Sequence, residues 1–230
     1  MSINHAVIEK EARRLQVEIW TQRGVLFQMG EPPLVQQFTP EVAARVCGLE
    51  YEYRPFISAE TGVGDLQAAG VLDRSRGVIS ISTQFGHEAR RFTGAHEIGH
   101  FVLHEWIGER RAHRDRPIGR GLANSPRPKI EQEADYFAAC FLAPRKLVAE
   151  EFQKRFGRIP LVLNETLAFH LSGKESRLLL TATPGSLDFA AAVAGAQSLD
   201  GRRFPSLAQT FGLSISAMAV RISELGLVAE

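Results

Sequence analysis

Between residues 3 and 23 the apolar side chains Ile8, Ala12, Leu15 and Ile19 recur at helical spacing among many charges. That period predicts an amphipathic helix. Pro32 and Pro33 close the region. A short helix is expected over residues 40–47, with Pro40 at its first position and Thr39 as its cap. Residues 69–82 read AGVLDRSRGVISIS, two β-rich runs around a polar turn that ends at Gly77. Ile79, Ser80, Ile81 and Ser82 alternate apolar with polar, which predicts a hairpin. From residue 88 to residue 106 the period becomes helical. Ser125, Pro126 and Pro128 interrupt it, and a second helical run occupies residues 129–142. Pro144 starts a third, which Gly157 closes. Further on the pattern weakens: residues 178–181 suggest a short strand, 187–197 a helix, and 206–227 two helices broken at Gly212. The chain contains no internal repeat and no low-complexity segment.

At 230 residues the chain is long enough for one packed domain with a smaller appendage. Apolar residues at 44% and charged residues at 23% are ordinary for a globular protein. Lys and Arg total 27 against 26 Asp and Glu, so the net charge of +1 excludes a whole-protein attraction to nucleic acid or acidic membrane. Residues 110–120, RRAHRDRPIGR, form a locally basic run, expected to be a solvated loop, with an acidic partner or nucleic acid as the alternative. Two cysteines without CxxC spacing fit a reducing compartment. The start, MSINHAVIEKEARR, lacks the apolar core of a signal peptide. The most apolar stretch, residues 189–196, is far too short to span a bilayer. A cytoplasmic location and no membrane association are expected.

The chemistry concentrates at residues 96–100, His-Glu-Ile-Gly-His. Histidines four apart on a helix lie one turn above each other, so both imidazoles can reach one ion. Glu97 sits about 100° around the helix and can reach a water on that ion without being a ligand. Phe92, Ala95, Ile98, Val102 and Trp106 share one side, with His96 and His100 on the rim of that stripe. Gly99 costs helix propensity but lets another segment approach closely.

A catalytic zinc ion takes three protein ligands and keeps one position for water. His104 lies about 12 Å along the helix axis from His96, too far to share the ion. Residue 106 is Trp, so a histidine ten residues beyond His96 is absent. The run EQEADYFAACFL, residues 131–142, offers an acid instead. As a helix it buries Ala134, Phe137, Ala138 and Phe141, with Glu131 and Glu133 flanking that stripe. Asp135 is one turn beyond Glu131 and shares its face, placed to accept a hydrogen bond from a ligating imidazole and so fix its tautomer. Glu131 is therefore favoured as the third ligand, with Glu133 as the alternative.

RRFTGAHEIGHFVLH at 90–104, followed by EQEADYFAACFLAP at 131–144, resembles the ImmA/IrrE metallopeptidases. Residues 206–228 resemble the segment that closes many members, while the first sixty residues match only loosely. The resemblance implies an α+β, zincin-like fold over residues 1–157, with a small sheet, an HExxH active-site helix and a glutamate helix. A mostly helical region, 158–230, would follow and end in a helix-turn-helix shape. It also implies a zinc-dependent endopeptidase that cleaves a helix-turn-helix repressor and relieves repression, in a stress-response, mobile-element or toxin–antitoxin setting. By position, His96, His100 and Glu131 match the family's metal ligands and Glu97 its catalytic residue. One Zn2+ per chain is expected, with Mn2+ possible. FLAP stands where an apolar-Leu-Met-Pro ending is common.

Three further expectations concern substrate and partners. Tyr136 and His104 are candidate second donors to the oxyanion. Residues 78–82 could act as an exposed edge that pairs with an extended substrate. Ser214 can cap the last helix, with Leu213 and Met218 as a hydrophobic staple. That helix offers few side chains able to read base edges, so packing or partner recognition is favoured over direct DNA binding. The competing reading is a nucleic-acid- or protein-binding regulator whose metal is structural, or a non-catalytic partner in a toxin–antitoxin-like pair.

Overall fold

A computed structural model describes residues 3–57, 68–104, 127–183 and 185–229, together with the backbone of 110–113. They form two compact units, Met1–Leu142 and Ala143–Glu230.

The first unit begins with α1 (His5–Leu26), whose Ile8, Ala12, Leu15 and Ile19 are buried, as their spacing predicts. A single turn, α2 (Leu34–Gln37), precedes α3 (Pro40–Val46), where the Thr39 hydroxyl accepts from the Val42 amide at 3.3 Å. The sheet follows: β1 (Glu50–Arg54), β2 (Gly70–Asp73), β3 (Val78–Ser82) and β4 (Arg110–His113), in the order β1-β3-β2-β4. β2 and β3 make the predicted hairpin, antiparallel, with Leu72 opposite Ile79. β1 runs parallel to β3 and β4 antiparallel to β2.

This order corrects the expectation that residues 78–82 form an exposed edge. β3 is hydrogen-bonded on both sides, and Ile79 and Ile81 are wholly buried. The edges among the described residues are β1 and β4. A polar residue at every second position looks the same on an edge and at the centre of a sheet covered on both faces, and Ser82 is only 1% exposed. The start of the basic run is also strand, as β4; residues 114–120 lie outside the described residues. α4 (His87–Leu103) packs on β2 and β3, and α5 (Lys129–Leu142) packs on α4 and α1.

Side chains from other elements fasten the C-terminal ends of both helices. The Arg74 guanidinium, from the hairpin turn, donates to the carbonyls of His100, Phe101 and His104 at 2.6, 3.2 and 3.1 Å. Gln16 of α1 donates to the Cys140 and Phe141 carbonyls of α5 at 2.9 and 3.0 Å. The last carbonyls of a helix have no intrahelical partner, so these bonds supply what the helices lack.

The second unit opens with α6 (Arg145–Phe156), closed by Gly157 at φ +77°. Its Arg155 donates to Glu151, the Pro205 carbonyl and the Thr210 hydroxyl, all within this unit. β5 (Leu161–Val162) pairs with β8 (Val228–Ala229). Between them lie α7 (Glu165–Ser172), a 3-10 turn (Gly173–Glu175), α8 (Ser176–Leu180), α9 (Asp188–Gly195) and the short pair β6 (Ser198–Leu199) and β7 (Arg202–Arg203). α8 occupies the stretch expected as a strand. Its three leucines are good helix formers, and an apolar run this short does not separate helix from strand by period.

α10 (Leu207–Phe211) starts with a capping box of Ser206 and Gln209 and ends at Gly212, φ +61°. α11 (Ile215–Glu224) starts at Ser214, whose hydroxyl accepts from the Ala217 amide, and Leu213 and Met218 are buried as a staple requires. Among the described residues no helix is long and apolar enough to cross a membrane.

Candidate metal centre

α4 lies between the sheet and α5, so the run Thr93–His100 is buried all around, not along one stripe. Ala95 and Ile98 are wholly enclosed, Phe92 and Val102 half-buried, and Trp106 lies outside the described residues. His96 and Glu97 are 0% exposed and His100 2%, so the motif sits deeper than the expected rim.

Three glycines allow this depth. A Cβ on Gly99 would stand 3.1 Å from the Ala134 carbonyl oxygen and 3.1 Å from the Phe137 ring, so α5 can press against α4 there. A Cβ on Gly94 would stand 2.1 Å from the Tyr51 hydroxyl and 2.8 Å from Pro40. A Cβ on Gly70 would stand 2.6 Å from Thr93 and 3.4 Å from the Glu97 side chain, so the start of β2 is bare backbone over the catalytic candidate. Gly99 was legible as a close approach; Gly70 and Gly94 carried no such sign.

Glu131, in the first turn of α5, meets the two histidines. Its carboxylate oxygens lie 3.2 Å from His96 Nε2 and 3.6 Å from His100 Nε2. The two Nε2 atoms are 2.9 Å apart, and one ligand atom from each of the three residues falls within 4.8 Å of the others. Glu133 goes elsewhere: one oxygen is 3.2 Å from His104 Nε2 and the other 3.2 Å from Lys129.

The far side of each imidazole is also engaged. His96 Nδ1 is 2.8 Å from Asp135, whose other oxygen is 2.7 Å from Arg127. His100 Nδ1 is 3.0 Å from His104 Nδ1. With each Nδ1 engaged on its outer side, both Nε2 atoms are turned to the Glu131 carboxylate. Two imidazoles and one carboxylate are a donor set of catalytic zinc sites, so the residues fit such an ion. Tyr136, one of the expected oxyanion donors, instead gives its hydroxyl hydrogen to Glu9 of α1 at 2.6 Å. His104, the other, is held between His100 and Glu133.

Electrostatics follow the packing. Burial opposes a charge on His96, but the bonds to Asp135 and Glu131 and the nearby Glu97 outweigh it and raise its pKa to about 9. A proton and a metal ion compete for the same Nε2 lone pair. Burial, with Glu41, Tyr53 and Glu97 adding negative character, pushes the Tyr51 hydroxyl upward and keeps it protonated. Sequence reasoning missed Arg74, Arg127 and Tyr51. Arg74 and Tyr51 meet groups far away in the chain, and Arg127 meets Asp135 from just before α5, where no local pattern marks it.

Comparison with known proteins adds an independent line. The chain has no significant match among curated proteins. Residues 57–168, which take in β2, β3, α4, α5 and α6, match the family model described as the IrrE N-terminal-like domain, Peptidase_M78. Together with the His96, His100 and Glu131 cluster, that match supports assigning the chain to the ImmA/IrrE family of metallopeptidases.

Proposed function

We propose that this protein is a zinc-dependent endopeptidase that cleaves a helix-turn-helix transcriptional repressor in the cytoplasm and thereby relieves repression. The observation that carries the reading is the convergence of His96, His100 and Glu131 within 4.8 Å, with Glu97 buried beside them. In this reading His96, His100 and Glu131 hold one Zn2+, and Asp135 orients His96. Bound there, the ion would polarise the scissile carbonyl and acidify a water. Glu97 would serve as the base that takes a proton from the attacking water and returns it to the leaving amine. Its burial excludes bulk solvent and aligns the carboxylate before substrate arrives.

α10 and α11 are read as a helix-turn-helix-shaped pair used for packing or partner recognition. The one arginine of α11, Arg221, is 1% exposed and donates to the Ala143 carbonyl and to Glu224, which removes it from any base edge. Substrate pairing by strand addition moves from β3 to the sheet edges.

The test is cleavage. The zinc-loaded protein is incubated with helix-turn-helix repressors encoded beside it, and intact-mass spectrometry follows the products. One discrete cut, absent with Glu97→Gln, is expected. Intact repressors under all conditions that support metal binding would overturn the substrate assignment.

A further inference from the structure

His104 is the residue that caps α4, and it is 3% exposed. Too far along the helix to share an ion with His96, it nevertheless has both ring nitrogens engaged, Nδ1 with His100 Nδ1 at 3.0 Å and Nε2 with Glu133 at 3.2 Å. Two imidazole nitrogens at that distance make a hydrogen bond only if one of them carries hydrogen. His100 must leave Nε2 bare to serve a metal, so its hydrogen is on Nδ1. His104 Nδ1 is then the acceptor, which puts the His104 hydrogen on Nε2, facing Glu133. A carboxylate only accepts, so the chain of donors is consistent from end to end, and Lys129 at 3.2 Å balances the charge at its outer end.

The other histidine has a shorter version of the same arrangement. His96 meets Asp135 directly, and Arg127 balances that carboxylate. On the Nδ1 side of His100 stands His104, which leads on to the Glu133 carboxylate.

We propose that His104 and Glu133 are positioning residues for His100, with the His104 imidazole passing the orienting pull of the Glu133 carboxylate to the metal-facing histidine. The proposal rests on the metal-site reading above. Outer partners of ligating histidines fix ring orientation and tautomer, and losing them costs about 10- to 100-fold in metal affinity.

The test compares zinc affinity, by competition with a chromophoric chelator, in wild type, His104→Phe and His104→Asn. Phenylalanine keeps a ring but no acceptor, whereas the asparagine carbonyl stands near the place of Nδ1. A loss of about 10- to 100-fold in His104→Phe is expected, only partly recovered in His104→Asn, whose carbonyl can accept from His100 Nδ1 but cannot pass on the pull of Glu133. A second readout is independent of these variants: nitrogen-15 NMR of the zinc-loaded wild type should show His104 with its hydrogen on Nε2. Wild-type affinity in His104→Phe, or a hydrogen on Nδ1 of His104, would overturn the proposal while leaving the metal site standing. A wild type that binds no zinc would overturn both.

Discussion

Glu97 occupies a position that a solvated acid could not: it is wholly enclosed, with Gly70 above it and metal-capable histidines one residue before and three after. A general base contributes about 10²- to 10⁴-fold to such a reaction. Glu97→Gln should lower the cleavage rate by that order and leave zinc content unchanged, as read by single-turnover kinetics beside elemental analysis. A variant that cleaves normally would remove Glu97 as the base, whereas regulation that survives in Glu97→Gln without cleavage would favour the binding-regulator reading, because a structural metal needs no acid there. At this scale His96, Glu97 and His100 were legible because one helical turn fixes their relation. Glu131 over Glu133 was favoured through Asp135, and the structure sets Asp135 2.8 Å from His96. What stayed hidden were Arg74 and the second nitrogen of His104, whose partners are remote in the chain, and Arg127, which precedes α5 without a local signal.

The elements are held by close approach and by fastened ends. Gly94 lies where α4 meets α3 and β1. Overpacking costs about 1–3 kcal/mol, more than the roughly 0.5–1 kcal/mol that alanine gains over glycine within a helix. Gly94→Ala should therefore lower the unfolding midpoint, and a raised midpoint would mean that Tyr51 has room to move. Arg74→Met should cost about 1.5–3 kcal/mol, the scale of hydrogen bonds to a charged group, and should speed amide exchange in the last turn of α4. Unchanged exchange would show that solvent satisfies those carbonyls equally well.

In the second unit a pH test is available. Burial raises the Glu151 pKa, but Lys154 and Arg155 outweigh it and hold it below the ordinary 4.5. A depressed carboxyl stabilises the fold above its unfolded value, and that contribution fades as pH falls below 4.5 through the folded value. The stability gap between wild type and Glu151→Gln should thus be present at neutral pH and close in acid. A gap that is constant with pH would assign it to packing. Among elements, α3, α4, α5, α6 and the β2–β3 hairpin were legible because caps, breakers and period agreed. β1 was not, since EYEYR carries charge at every second position, and α8 was misread as strand because four residues hold too little period.

For the whole molecule, the net charge of +1 and the buried Arg221 argue against a nucleic-acid-binding surface. The protein should not retard duplex DNA at physiological salt. Retardation that weakens steeply with added salt would instead identify phosphate contacts. Gly157 ends α6 as its position predicts, while the bonds from Arg155 to the Pro205 carbonyl and the Thr210 hydroxyl join residues that no local pattern connects. The central claim is that one metal ion is held by His96, His100 and Glu131. Its most direct test is elemental mass spectrometry of purified wild type, His100→Ala and Glu97→Gln. The account predicts close to one zinc per chain in wild type and Glu97→Gln, and loss in His100→Ala. Wild type without metal, even after zinc and manganese supplementation, would contradict it.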